Sequence, residues 1–288
     1  MTLPNFIVIG AQRTGTSYLR HVLNLIPNIY VPQKNEVNFF NYHIYSKNIS
    51  WYVSLFDAQE NNCKVGDISP FYSAMYPEEV KVTKKMLSRI KVFFTIRNPV
   101  ERVGSSIKRI NTYSNNKLKT RTAMISHIEK PINKRLSDYY RTYKIWESYY
   151  RKDLIVQLYC NLEKNPKKFL KNILNTLNIP EKEIEKLGEK IYIRKNKSNN
   201  FKIDPFVKYY IAKEWIKNTK KLNSKIEKDL THWIEDMEKI IKNRKNRWKY
   251  LRIFYKIIFT TKNIFLKIPI LLRRLYRNIK LKIKNIQK

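Results

Sequence analysis

Acidic residues are scarce in this sequence: 23 Asp and Glu stand against 59 Lys and Arg, a net charge of +36 over 288 residues. A field of that sign attracts polyanions such as nucleic acid, anionic lipid, acidic glycans and nucleotide phosphates. Lys, Asn and Ile are abundant together, which also fits a bias in base composition, so charge alone assigns no partner. Cysteine is nearly absent. Cys63 and Cys160 lie far apart, which excludes a disulfide framework and the paired spacing of a zinc site. No uncharged stretch reaches the ~18 residues of a transmembrane helix. Only Met1 to Asn5 precede a strand-like run, so no signal-peptide pattern leads the chain. These absences make a cytoplasmic protein the expectation. No internal repeat is visible.

Hydrophobic residues make up 43% of the chain, enough for a sizeable core. The length suits one α/β domain of roughly 200–250 residues plus an extension. We divide it into a domain at 1–235 and a basic amphipathic extension at 236–288. Phe6 to Ile9 is a continuous β-branched and aromatic run that ends at Gly10, as a buried parallel strand does. Tyr18, Leu19, Val22, Leu23 and Leu25 then recur at helical spacing until Pro27. Further strands are expected at Asn28–Val31, Cys63–Val65, Lys91–Ile96 and Leu154–Tyr159, with Gly66–Pro70 as a turn. Helices are expected at Glu78–Ser88, from Pro99 to about Ile110, at Leu136–Tyr150, at Pro166–Leu177 and across 205–244. Residues 111–134 lack periodicity and read as a loop or lid. Strands alternating with helices imply a three-layer fold resembling that of phosphate-loop proteins, with a parallel sheet covered on both faces.

Gly10-Ala-Gln-Arg-Thr-Gly-Thr-Ser17 joins the first strand to the first helix. Backbone amides at a helix N-terminus bind anions, Gly15 allows close approach, and Thr14, Thr16 and Ser17 add hydroxyls. The glycine spacing matches the nucleotide-triphosphate loop, yet Thr16 stands where that loop has its lysine, and the cation sits at Arg13 instead. Likewise the Lys91–Ile96 strand ends in Arg97, where an ATPase commonly carries a magnesium-binding Asp. A cation in place of the metal holder suits a ligand with an extra phosphate and no metal. Ser105, eight residues beyond Arg97 in the next helix, can converge with it on one anion above the strand ends.

These residues resemble the PAPS-dependent sulfotransferases, especially the branch of heparan sulfate sulfotransferases and their bacterial relatives. Phe6–Leu19 is similar to the family's 5′-phosphosulfate loop and Ile96–Ser106 to its 3′-phosphate element. Lys34–Phe40, Gly66–Tyr72, Ile155–Leu162 and Leu222–Trp233 are similar to its Lys-Glu-x-His-Phe-Phe segment, acceptor-side turn, adenine-side strand and closing helix. The chain departs from the pattern at Lys34-Asn35, at Asn38 in place of His, and at Cys160-Asn161 in place of an acidic pair.

The resemblance implies PAPS as co-substrate, bound by Arg13, Thr14, Gly15, Thr16, Ser17, Arg97, Ser105 and Tyr159, with no metal. Arg13 would also stabilise charge in transfer, and Glu36 would be the base. Glu36 could instead pair with Lys34, and His21 and His43 are rival bases; His127 and His232 have no chemistry near them in sequence. The acceptor expected is a glycan, with a lipid as runner-up. Residues 245–288 mix 14 Lys and Arg with Leu, Ile, Phe and Tyr and contain no acid. Such a segment suits peripheral contact with anionic membrane, capture of a polyanion, or packing on the domain. No specific nucleic acid is expected. The competing classes are a small-molecule kinase of the phosphate-loop type, which would need the lysine at position 16, and a non-catalytic binder of nucleic acid or polyanions, which would need no organised loop.

Overall fold

The computed structural model describes residues 2–32, 36–56, 63–114, 117–192, 201–243 and 248–260. Among these, five strands form one parallel sheet: β1 (Phe6–Gly10), β2 (Ile29–Tyr30), β3 (Lys64–Ile68), β4 (Lys91–Ile96) and β5 (Leu154–Leu158). Their order is β2-β3-β1-β4-β5. The chain therefore builds leftward from β1 and then crosses to its other side at β4. Loops after β1 and β4 diverge at that point, which is where open sheets of this kind bind ligands.

Side-chain alternation along β1 divides the core in two. Phe6 and Val8 pack with Leu19, Val22 and Leu23 of α1 (Thr16–Leu23) and with residues further along the chain in a later helix, Phe169 and Leu170 among them. Ile7 and Ile9 face the opposite layer, with Tyr52 of α2 (Ile49–Ser54) and Val80 of α3 (Pro77–Met86). α4 (Pro99–Tyr113) follows β4. It starts where the sequence predicts: Pro99 needs no amide donor at the first helical position, and the Asn98 side chain accepts from Val100 N at 3.0 Å.

Residues 111–134 are no open lid. α4 runs on to Tyr113, and α5 (Arg121–Glu129) and α6 (Pro131–Ser137) follow. Met124, Ile125 and Ile128 are buried there against Val103 and Ile107 of α4. Thr120 caps α5 by accepting from Ala123 N at 3.2 Å. The sequence pattern was masked because the apolar residues are few and crowded into one short helix. The helix expected at Leu136–Tyr150 is broken at Asp138, whose side chain caps α7 (Tyr139–Tyr150). Gly66-Asp-Ile is no turn but the end of β3. Gly66 is required there by the ring of Phe6, since a Cβ would stand 2.1 Å from its Cζ.

Beyond β5 come α8 (Tyr159–Lys164), α9 (Pro166–Thr176) and α10 (Lys182–Glu185). α11 (Pro205–Asn223) and α12 (Thr231–Lys242) close the domain. Leu222–Trp233 thus spans the turn between two helices rather than a single one. Residue 235 lies within α12. A further helix over residues 248–260 lays Trp248 and Tyr255 against Phe206, with ring centroids 5.8 and 6.0 Å apart. Ion pairs fasten it: Lys256 and Arg252 reach Glu214 of α11 at 2.5 and 3.2 Å. No helix among the described residues is long and apolar enough to cross a membrane.

Candidate active site

Gly15 caps α1 in the left-handed region, at φ 85°, and Arg13 two residues earlier is left-handed as well, at φ 73°. Together they curl the loop over the end of β1. Thr14 is buried and its hydroxyl donates to Ala11 O at 2.6 Å, while Ala11 N donates to Thr95 O of β4 at 2.6 Å. The loop is thus fixed to both central strands. Thr16 is buried at the first turn of α1, and Ser17 is exposed beside it. A Cβ on Gly15 would meet Leu162 at 2.7 Å and the Tyr159 ring at 3.3 Å, so α8 presses directly on the loop.

The two elements expected to hold phosphate are joined by a hydrogen bond. Arg13 Nε donates to Ser105 Oγ at 3.1 Å, across 92 residues of sequence. Arg97 stacks on Tyr159, its guanidinium carbon 4.6 Å from the ring centroid, and its Nε donates to Glu101 at 2.9 Å. Arg97 and Ser105 line a cavity of about 570 Å³. Lys108 of α4, Lys208 of α11 and Lys239 of α12 also border it, with Asp236 as a counter-charge. Burial, Arg109 and Arg97 together lower the Arg13 pKa to about 10. Three guanidiniums crowded at one strand edge repel one another, and an anion relieves that repulsion. A nucleotide bearing phosphate at two positions fits this donor set. Among the described residues, no group of three or more His, Cys, Asp or Glu could hold a metal ion.

Glu36 lies on the segment entering a buried aromatic cluster, where Phe39 stacks on Tyr52 with centroids 4.6 Å apart. Burial pushes the Glu36 carboxyl above the ordinary carboxylate range, opposed by a hydrogen bond from Asn38 and by the charges of Arg20 and Arg109. The Asn38 amide donates to Glu36 Oε2 at 3.4 Å. A buried carboxylate, Asp67, holds the segment from below. It accepts from Ser69 Oγ at 2.6 Å, Tyr72 OH at 2.8 Å and Tyr52 OH at 3.1 Å. Ser69 Oγ in turn accepts from Asn38 N, and Tyr72 OH from Phe39 N, both at 2.9 Å. Burial raises Asp67 to about 6 against these donors and Arg20.

Of the expected site residues, the structure brings Arg13, Gly15, Arg97, Ser105 and Tyr159 into mutual contact or a shared cavity, and sets Thr14, Thr16 and Ser17 around them. Lys34 and Asn35 lie outside the described residues. His43 packs its ring on Trp51, 4.9 Å between centroids. His127, in a stretch read as loop, is buried against Ser106 and Asn133, and burial with Arg102 and Lys130 lowers it to about 4. Sequence reasoning missed Arg109, one turn beyond Ser105 on α4, although the i,i+4 spacing shows it. It missed Lys208 and Lys239 because only tertiary packing brings α11 and α12 to the cavity, and Arg20 because only the pairing of β1 with β3 sets the Ile68 carbonyl beside α1.

The sulfotransferase domain family matches residues 3–254. The chain belongs to the sulfotransferase family. The family's donor is PAPS. Its fold resembles a sulfotransferase from Alicyclobacillus acidocaldarius at a TM-score of 0.67 and 20% identity, over 81% of this chain and 99% of that one. Mouse sulfotransferase SULT7A1, solved with PAP, superposes at a TM-score of 0.50 and 15% identity, over 82% and 88%. Among curated relatives, the membrane-associated sulfotransferase kil1 of Dictyostelium discoideum is 35% identical over 105 residues, 35% of this chain. The human bifunctional heparan sulfate N-deacetylase/N-sulfotransferase 2 is 32% identical over 111 residues, 36% of this chain. The alignments span 22% and 12% of those two relatives' lengths.

Proposed function

We propose that this sulfotransferase moves a sulfuryl group from PAPS to a hydroxyl or amine of a glycan, with Glu36 as the base. The observation that carries the reading is the bond from Arg13 to Ser105 at 3.1 Å, which unites two anion-binding elements at the β1/β4 edge. Bound there, PAPS supplies an activated sulfuryl group on a phosphate leaving group. Thr14, Gly15, Thr16 and Ser17 hold the 5′-phosphate end. Arg97 and Ser105 hold the 3′-phosphate, and Tyr159 flanks the adenine. Arg13 offsets charge that develops in transfer. Glu36 accepts the acceptor's proton, a role that burial favours by making the carboxylate more basic. The heparan sulfate relative supports a glycan acceptor.

The helix over residues 248–260 supports peripheral membrane contact. Tyr250, Ile253, Phe254 and Ile257 are exposed on it, 46–72% accessible, beside Lys249. An apolar stripe with basic flanks lies well in an anionic interface. On this reading the catalytic domain runs past the expected boundary at 235 to the end of α12, and the basic extension beyond it addresses it to a surface.

Thermal shift separates the classes. PAP should stabilise the protein more than ATP with magnesium or heparin does. Stabilisation by ATP with magnesium alone would restore the kinase, and by heparin alone the non-catalytic binder. Transfer of label to lipid rather than polysaccharide would replace the glycan by the lipid acceptor.

A further inference from the structure

Ser69 and Tyr72 each carry one hydroxyl proton, and both spend it on the same buried group. Ser69 Oγ donates to Asp67 Oδ1 at 2.6 Å, and Tyr72 OH donates to Asp67 Oδ2 at 2.8 Å. Tyr52 OH of α2 donates to Oδ2 as well, at 3.1 Å. An ionised carboxylate accepts and never donates, so a hydroxyl that points its proton at Asp67 offers its other neighbours lone pairs alone. Those lone pairs meet backbone amides just beyond Glu36. Asn38 N donates to Ser69 Oγ and Phe39 N to Tyr72 OH, both at 2.9 Å, and Phe40 N reaches Tyr72 OH at 3.4 Å. The chain bends where it is held. Asn38 is left-handed, at φ 47°, a conformation that a residue with a side chain keeps when its surroundings fix it. From that bend the Asn38 side-chain amide donates back to Glu36, to Oε2 at 3.4 Å and to the carbonyl oxygen at 3.5 Å. Asp67, Ser69, Tyr52 and Tyr72 are all fully buried, so water does not take over these bonds.

We propose, resting on the assignment of Glu36 as base, that Asp67 is a positioning residue: it turns the Ser69 and Tyr72 hydroxyls into acceptors for the Asn38 and Phe39 amides, and the bend so fixed orients the Glu36 carboxylate. Asp67 acts through bonds in series, from carboxylate to hydroxyl, from hydroxyl to amide, and from Asn38 to Glu36. Hydrogen bonds to a carboxylate are stronger than neutral ones, and bonds in a chain reinforce one another. Burial raises the Asp67 carboxyl to about 6, so well above that pH it is ionised and the hydroxyls are committed to it. Asn at this position keeps the shape but offers a single oxygen. Its other side faces a hydroxyl with N–H instead of a lone pair, and the tether through that hydroxyl loosens. Misplacing a reacting group by about 1 Å costs on the order of a hundredfold in turnover.

The test uses the full chain at about pH 8, where Asp67 is ionised. Amide hydrogen exchange at Asn38 and Phe39 is followed by NMR, and turnover with labelled PAPS and N-desulfated heparin. In Asp67→Asn at least one of the two amides should exchange about tenfold faster. The kcat should fall about tenfold or more, while the KM for PAPS and the Kd for PAP stay within about twofold. Ser69→Ala removes the tether to Asn38 and leaves Asp67 its two tyrosines; it should show both changes in milder form, and it decides the matter if Asp67→Asn does not fold. Glu214→Gln, destabilised through the helix at 248–260, should lose stability and show neither change. Amides that exchange as in the wild type in both variants, or amides that open while kcat holds, overturn the proposal and leave Asp67 a group that stabilises the fold. Full turnover in Glu36→Gln overturns the base assignment instead, and leaves the tether from Asp67 to the amides intact. No transfer to N-desulfated heparin by the wild type counts against the glycan reading, and amide exchange then decides the role of Asp67 alone.

Discussion

Replacing Arg97 by Ala tests the second anion site. A charge-assisted contact from a guanidinium to phosphate contributes about 1.5–3 kcal/mol. In free energy that is a factor of roughly 10–150 in Kd. Two neighbours adjust the value. Tyr159, 4.6 Å from the guanidinium carbon, holds the side chain in place, so little ordering remains to be done on binding. Glu101 competes for it at 2.9 Å, but that carboxylate is 53% exposed and one helical turn away. Pairs of that kind contribute about 0.3–0.5 kcal/mol, too little to cancel the phosphate contact. Titration calorimetry with PAP and with adenosine 5′-phosphate, which lacks the 3′-phosphate, isolates the effect. Arg97→Ala should weaken PAP by about tenfold or more and leave adenosine 5′-phosphate within about twofold. Equal weakening of both ligands would refute the assignment, because the loss would then come from the loop or the fold.

Gly66→Ala should lower the thermal midpoint by several degrees. The added methyl meets the buried Phe6 ring at 2.1 Å, and overpacking of this kind costs about 1–3 kcal/mol; an unchanged midpoint in a thermal scan would mean that β1 and β3 separate easily. Glu214→Gln should cost about 1.5–3 kcal/mol near neutral pH in denaturant unfolding. Burial alone would raise this carboxyl, but Lys256, Lys134 and Arg252 together hold it below its usual 4.5. Its folded value is depressed, so its contribution is present above the unfolded value and disappears as pH falls through the folded one. The wild-type and Glu214→Gln stability curves should therefore converge in acid, and curves that stay parallel to low pH would show that Glu214 does not fasten the helix at 248–260.

The parts of the fold legible in the sequence are those governed by short-range pattern. Lys91–Ile96 appears as a strand with the bounds its apolar run suggests, and Pro99 opens α4. The loop at 10–17 was readable because glycine spacing and a helix N-terminus are local. Asp67 was hidden for the opposite reason. A charged residue after Gly66 looks like a turn until Tyr52, Tyr72 and Ser69 are seen to supply its donors from α2 and the turn after β3. The helices within 111–134 were hidden because α5 is anchored by contacts to α4 and α11 rather than by its own periodicity. For the site, Arg13, Arg97 and Ser105 were legible as motif positions and Arg97 with Ser105 as a converging pair, but the bond from Arg13 to Ser105 was not. It depends on β1 and β4 being neighbours, which sequence order alone does not give.

The most direct measurement incubates the full chain with radiolabelled PAPS and a panel of polysaccharides, and follows label in the polymer. Wild-type protein should transfer label to at least one glycan. Glu36→Gln should bind PAP as the wild type does and transfer none. Transfer undiminished in Glu36→Gln, or a folded wild-type protein that neither binds PAP nor moves the label, would contradict the account.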